Sequence, residues 1–176
     1  IIERASGDFI AFFDDDDQSV PNRLRRQYER ITDYEEQFAI HAPVICHAAR
    51  TQIYPGAAQR LEQTMGTQIG MRAPNGDEVA QRILFGKPSP DSQGAMATCS
   101  QMARTKTYRD LGGFDAQLRR SEDTDFNIRA AIKGAHFVGI AAPLVTQAMT
   151  AGSEKRTHEE RKFFQMVLEK HKDYID

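Results

Sequence analysis

Gly7-Asp8-Phe9-Ile10-Ala11-Phe12-Phe13-Asp14-Asp15-Asp16-Asp17 is the stretch on which the fold turns. Positions 8–13 are a run of apolar strand formers, which predicts a central strand covered on both faces, the habit of parallel sheets flanked by helices. Four consecutive aspartates then stand at its carboxyl end. Ligands in open α/β sheets bind outside the carboxyl ends of strands, so these acids fall where a site is expected. Crowded carboxylates raise one another's pKa unless a cation offsets them, and a hard divalent ion with oxygen ligands is the natural partner. The same acids would also suit a solvated loop or a cap for the next helix. Pro21 takes a first-turn position there, with Ser19 or Val20 near the cap. Leu24, Tyr28 and Ile31 recur at helical spacing and predict a helix over 21–34 with an arginine-rich outer face.

Further along, 38–41 and 44–54 read as strands broken at Pro43, and the Pro55-Gly56 turn follows. Segment 56–76, rich in Gly and Pro, reads as loop or insertion. Asp77 caps a short helix, 86–94 is a loop, and 95–102 is an apolar run that predicts a buried strand holding Cys99. A helical turn at 108–111 precedes Gly112-Gly113. A helix over 122–133 turns Phe126, Ala130 and Ile132 inward and stops at Gly134. A short strand spans 136–140 and a long helix 157–175. Strands alternating with helices predict an α/β architecture. The expected organisation is one domain over 1–176, with a core at 1–150 and a C-terminal helical segment at 151–176.

The chain has 176 residues, 40% hydrophobic and 27% charged, enough for a real core and too ordered in composition for a disordered tail. No apolar run approaches the roughly 20 residues of a membrane span. Lys plus Arg number 23 against 25 Asp plus Glu, a formal charge of −2, which argues against a nucleic-acid partner. Two cysteines, Cys46 and Cys99, cannot build a disulfide framework, and a reduced intracellular setting is the simple reading. Cys46 and His47 are adjacent on a predicted strand and point to opposite faces, so with His41 they make no metal site. The opening Ile1-Ile2-Glu3-Arg4 has no initiator Met and no signal-peptide pattern, and reads as the interior of a longer protein.

A second chemical segment is Leu111-Gly112-Gly113-Phe114-Asp115, followed by Arg119-Arg120-Ser121-Glu122-Asp123-Thr124-Asp125-Phe126. Acids in a first helical turn suit the helix dipole, and a loop entering a helix is also a common place for a general base. Together with the strand, the four aspartates and Pro21-Asn22-Arg23-Leu24, this ordered set resembles family 2 glycosyltransferases of the GT-A fold over residues 5–145. The resemblance implies an Asp-x-Asp metal motif at Asp14 and Asp16 and a general base at Asp123. Asp15, Asp17, Arg120 and Glu122 fall on the donor side, and Gly112 and Gly113 on the acceptor side. It further implies Mn²⁺ or Mg²⁺ and inverting transfer from a nucleotide-sugar donor, a UDP-sugar first, to a hydroxyl of a glycan or lipid-linked acceptor. The setting it implies is cell-surface glycan synthesis at the cytoplasmic face of the membrane.

Two departures stand out. The N-terminal strand and loop that hold the base in this family have no counterpart before Ile1, so the fold is expected to be truncated at its N-terminus, with self-association through the uncovered sheet edge. The His that many relatives carry after the last core strand is replaced by Thr146-Gln147-Ala148-Met149-Thr150. The Gln-x-x-Arg-Trp signature of processive synthases is absent, since the chain has no Trp. A non-catalytic sugar-binding scaffold is the alternative, opposed by the intact acids. A Walker-type ATPase fails because Gly86-Lys87 is followed by Pro88. Lys155-Arg156, Arg161-Lys162 and Lys170 read first as a solvated helix face, with peripheral contact to anionic lipid or a phosphorylated acceptor as the alternative.

Overall fold

The computed structural model describes residues 1–149 and 154–176, with the side chains of 154–157 outside that description. The elements run β1 (Phe9–Ala11), β2 (Gln18–Ser19), α1 (Arg23–Phe38), β3 (Val44–Ile53), β4 (Gln59–Glu62) and α2 (Asp77–Phe85). They continue with β5 (Met102–Arg104), α3 (Thr105–Asp110), α4 (Glu122–Ile132), β6 (His136–Ala148), α5 (Glu154–Lys170) and α6 (Lys172–Ile175). The sheet order is β1-β5-β3-β6-β2, with β4 paired to β3 off that path. β3 and β6 run parallel, while β5 is antiparallel to both β1 and β3. The expected α/β architecture is therefore present with a mixed sheet.

β3 explains the layering. Its side chains alternate at period two, so Val44, Cys46 and Ala48 join Ile31 and Tyr34 of α1, while Ile45 joins Phe126 and Ala130 of α4 and Val79 of α2. A third, smaller cluster packs Val167 of α5 on Ile128 and Leu118. The loop before α2 lies against β6 so closely that a Cβ on Gly139 would sit 2.1 Å from the Met65 carbonyl oxygen. Only glycine permits that approach.

Several sequence expectations are corrected. β1 is an edge strand rather than a central one, pairs antiparallel with β5 alone, and is only half-buried. Residue 38 ends α1, and 39–41 form turn rather than strand. The 95–102 segment is a 3-10 turn at Thr98–Ser100 leading into β5, so Cys99 sits on a turn. Ile132 is largely exposed. β6 extends well past residue 140, and the C-terminal helix breaks at His171. Thr150 lies outside the described residues, as do the side chains of Lys155 and Arg156.

The largest correction concerns α1. Its inward face is Arg23, Gln27, Ile31 and Tyr34, while Leu24 and Tyr28 are about half exposed. Arg23 is tolerated in the interior because each of its three guanidinium nitrogens donates a hydrogen bond. Nη2 donates to the Phe12 carbonyl at 2.8 Å, Nη1 to Ser19 Oγ at 2.9 Å and Nε to Gln27 Oε1 at 2.9 Å. Gln27 passes the chain on, donating to the Ser100 carbonyl at 2.8 Å. Among the described residues no helix is long and apolar enough to cross a membrane. We expect Arg23→Met, which keeps the stem and removes the donors, to cost about 2–4 kcal/mol in urea unfolding because buried acceptors lose their partners. An unchanged midpoint would show that this network is not structural.

Candidate active site

The loop between β1 and β2 is a tight turn in which the Asp17 amide donates to the Asp14 carbonyl at 3.2 Å. That geometry brings the first and fourth carboxylates together and leaves Asp15 and Asp16 exposed at the tip. Cys99 Sγ completes a cluster in which one ligand atom each from Asp14, Asp17 and Cys99 lies within 4.8 Å of the others. Asp17 Oδ1 accepts from the Ala148 amide at 3.3 Å, while Asp17 Oδ2 is buried with no hydrogen-bond partner among the described residues. Two convergent carboxylates, one with a buried oxygen that has no partner among the described residues, fit a hard divalent cation, while burial pushes the Cys99 thiol up to about 11 and keeps it protonated beside them. Of the expected pair, Asp14 is in the cluster and Asp16 is beside it.

Electrostatics ties this cluster to the base segment. Burial, then the charges of Asp16 and Asp15, push the Asp14 carboxyl above its ordinary range, and burial does the same for Asp17. Arg50, at the carboxyl half of β3, opposes the rise at Asp14 and also pulls on Asp123. Its Nη1 lies 3.6 Å from Cys99 Sγ, and its Nε is buried without a partner among the described residues. Arg50 therefore stands between the two acid groups and forms an ion pair with neither.

Asp123 lies in the first turn of α4, entered through Ser121 in a left-handed conformation at φ 60°. Its Oδ1 accepts from the Thr124 amide at 2.7 Å and from Thr124 Oγ1 at 3.3 Å. Burial nonetheless holds its pKa above the ordinary value. Asp123 lines a cavity of about 330 Å³ with Arg50, Arg82, Thr124 and Asn127, walled by Phe164. Glu122 is also raised, first by burial and then by the charges of Asp123 and Asp14. Glu122 and Arg120 line a neighbouring hollow, and Arg120 lies 3.9 Å and 3.8 Å from Glu159 and Glu160 on α5.

Asp125, two positions on, is built differently. It pairs with Arg129, Lys170 and His171 at 2.9, 3.0 and 2.9 Å, and these partners hold its pKa below the ordinary range although burial opposes them. Gly112 and Gly113 form a turn with φ of 74° and 66°, pinned by Arg129 to the Leu111 and Gly113 carbonyls, outside the lining of the cavity.

Sequence reasoning passed over Arg50, Cys99 and Arg82. A charge directly after the buried run Val44–Ala49 was the one signal available for Arg50. Cys99 and Arg82 carry no local pattern.

The chain resembles S. aureus TarS in structure. Against TarS residues 1–349 the TM-score is 0.60 at 14% identity, covering 94% of this chain and 41% of that one. Against the structure of TarS 1–349 in complex with UDP-GlcNAc the values are 0.59 and 12%, covering 94% and 43%. Against a further crystal structure of S. aureus TarS they are 0.57 and 15%, covering 97% and 29%. The chain thus spans well under half the length of these relatives. Identities this low show the fold, and the expected GT-A fold is the one found. No curated protein matches the chain in sequence. The description of glycosyl transferase family 2 matches residues 1–102, more than half of the 176, and the chain belongs to that family.

Proposed function

We propose that this chain carries the chemistry of an inverting glycosyltransferase that moves a sugar from a nucleotide-sugar donor to a hydroxyl of a glycan or lipid-linked acceptor. The observation that carries the reading is Arg50, which lines the cavity together with Asp123 and reaches to 3.6 Å from Cys99 of the Asp14–Asp17–Cys99 cluster. The donor class is supported by TarS, of the same fold, which has been solved in complex with UDP and with UDP-GlcNAc.

Asp14 and Asp17, with Cys99 beside them, would hold Mn²⁺ or Mg²⁺, and Asp16 adds its charge from the tip of the turn. When bound, such an ion neutralises the charge that develops on the departing diphosphate. Asp123 takes the proton from the acceptor hydroxyl as its oxygen attacks the anomeric carbon. Its raised pKa makes it a better base than an ordinary aspartate, and the Thr124 bonds to Oδ1 leave Oδ2 for that proton. Attack from the face opposite the leaving group inverts the anomeric centre. The adjacent Glu122 is itself raised, first by burial and then by the charge of Asp123.

Three outcomes test this reading in the full-length protein. Asp17→Asn should weaken Mn²⁺ binding, read by calorimetry, about tenfold or more, and more than Asp16→Asn; the reverse order would return the metal to the Asp14–Asp16 pair. Asp123→Asn should leave UDP-sugar binding intact and lower transfer by at least about 10²-fold. The acid limb of the wild-type rate profile should lie above the ordinary aspartate value. Stability carries the opposite sign. A carboxyl whose folded pKa is raised binds its proton more tightly when folded, so stability is lost as pH rises from the unfolded value through the folded one. Asp123→Asn removes that loss and should raise Tm by about 2–4 °C at neutral pH, on the order of 1 kcal/mol. A lowered Tm would show that Asp123 is structural.

A further inference from the structure

The cavity beside Asp123 holds more positive charge than its walls offset. Arg50 and Arg82 both line it, and Asp123 is its one carboxylate. Among the described residues neither arginine has a carboxylate within ion-pairing distance. Arg82 spends one donor on the Gly94 carbonyl, at 3.0 Å, and Arg50 spends one on Cys99 Sγ, at 3.6 Å. Each guanidinium has five N–H donors, so most are unassigned, and the buried Arg50 Nε is among them. Burial alone moves the Arg82 pKa, downward, with no nearby acid opposing it.

Uncompensated cations are costly in a half-buried wall, and protein arginines in such places ordinarily meet an acid. Here the other polar groups cannot supply one. Asn127 is committed, its Nδ2 donating to the Met96 carbonyl at 3.0 Å and its Oδ1 accepting from Gln101 at 3.2 Å. Thr124 Oγ1 donates to Asp123. The remaining lining is apolar, with Ile83, Met96 and Phe164. Two guanidinium forks facing a cavity of about 330 Å³, with a general base at its edge, match a small polyhydroxy molecule that brings its own anion.

We infer that this cavity binds the acceptor, and that the acceptor carries a phosphate or carboxylate close to the hydroxyl that Asp123 deprotonates. The inference rests on the glycosyltransferase reading and adds to it the charge of the second substrate. Arg82, on α2, and Arg50, on β3, grip the anion from two walls, which turns the hydroxyl toward the base. Phosphate and carboxylate share the bidentate geometry that arginine recognises, so the test carries both.

The experiment uses the full-length protein saturated with UDP and Mg²⁺, so that the donor side is filled. Glucose, glucose 6-phosphate and glucuronate are titrated in turn by calorimetry, with the arginine Nε–Hε signals followed by NMR. The expected result is binding of one or both anionic probes about tenfold tighter than glucose, with the Arg82 signal shifted. Which anion binds tighter names the group. Arg82→Gln should remove the preference and Arg82→Lys restore part of it, with UDP affinity moving less than about twofold in both. Equal affinity for all three probes, no binding of any, or an equal loss of UDP affinity in Arg82→Gln overturns the inference. Failure of UDP to bind in the wild-type protein overturns the glycosyltransferase reading itself and is seen before any probe is added.

Discussion

The burial of Arg23 is the constraint on which the rest depends. A guanidinium that reaches the Phe12 carbonyl on one side of the acid turn and Ser19 on the other clamps both ends of the segment 14–17 to one helix. Through Gln27 the same chain reaches the carbonyl of Ser100, next to Cys99. The turn, the thiol and the helix are thereby held in one frame, and the convergence of Asp14, Asp17 and Cys99 follows from it. A charge so placed is tolerated because three neutral oxygens accept its donors and Phe13 lies 4.4 Å under its plane. The second buried network, in which Tyr108 donates to Gln101 and Gln101 reaches His47 and Asn127, does the same for the opposite wall.

The carboxylates of this chain divide by what surrounds them. Asp125 and Asp115 share Lys170 and are pulled below their ordinary range. Asp14, Asp17, Glu122 and Asp123 are pushed above theirs, with burial the largest cause in each. The second group comprises the acids of the turn cluster and the first two acids of α4. Acids left without cations cost stability, and a fold keeps them where a ligand or a proton supplies the missing charge. Asp123 and Asp125 stand two residues apart on one turn of α4, one hydrogen-bonded to Thr124 and the other paired with three basic side chains.

Much of this was legible in the chain. The acid run after apolar residues is readable from its pattern, while the Gly-Gly-Phe-Asp segment before Glu122-Asp123 takes its meaning from the family resemblance. The exact partner of Asp14 was not legible, because which aspartates converge is set by the turn hydrogen bond from Asp17 and not by their spacing. Arg23 misled the reading of α1, since an amphipathic pattern assigns charge to the outside and cannot see a cluster of backbone acceptors. β1 looked central because Phe9 to Phe13 is apolar throughout, yet only one flank of the strand is paired. Arg50, Arg82 and Cys99 are brought to the site from β3, α2 and a 3-10 turn, and no local window contains two of them.

The anchoring of the C-terminal helix has a further consequence. α5 is held to the body through Lys170 at its end, with His171 just beyond, both on Asp125, while Phe164, nearly two turns earlier, forms part of the cavity wall. The wall and the anchor are therefore on one element, and Asp123 is on another. A lineage can exchange the residues of α5 that face the cavity, or lengthen the helix, without disturbing the acid turn or Asp123. Under the proposed function, such a division lets the choice of acceptor diversify by drift in a single peripheral segment while the acids are inherited unchanged.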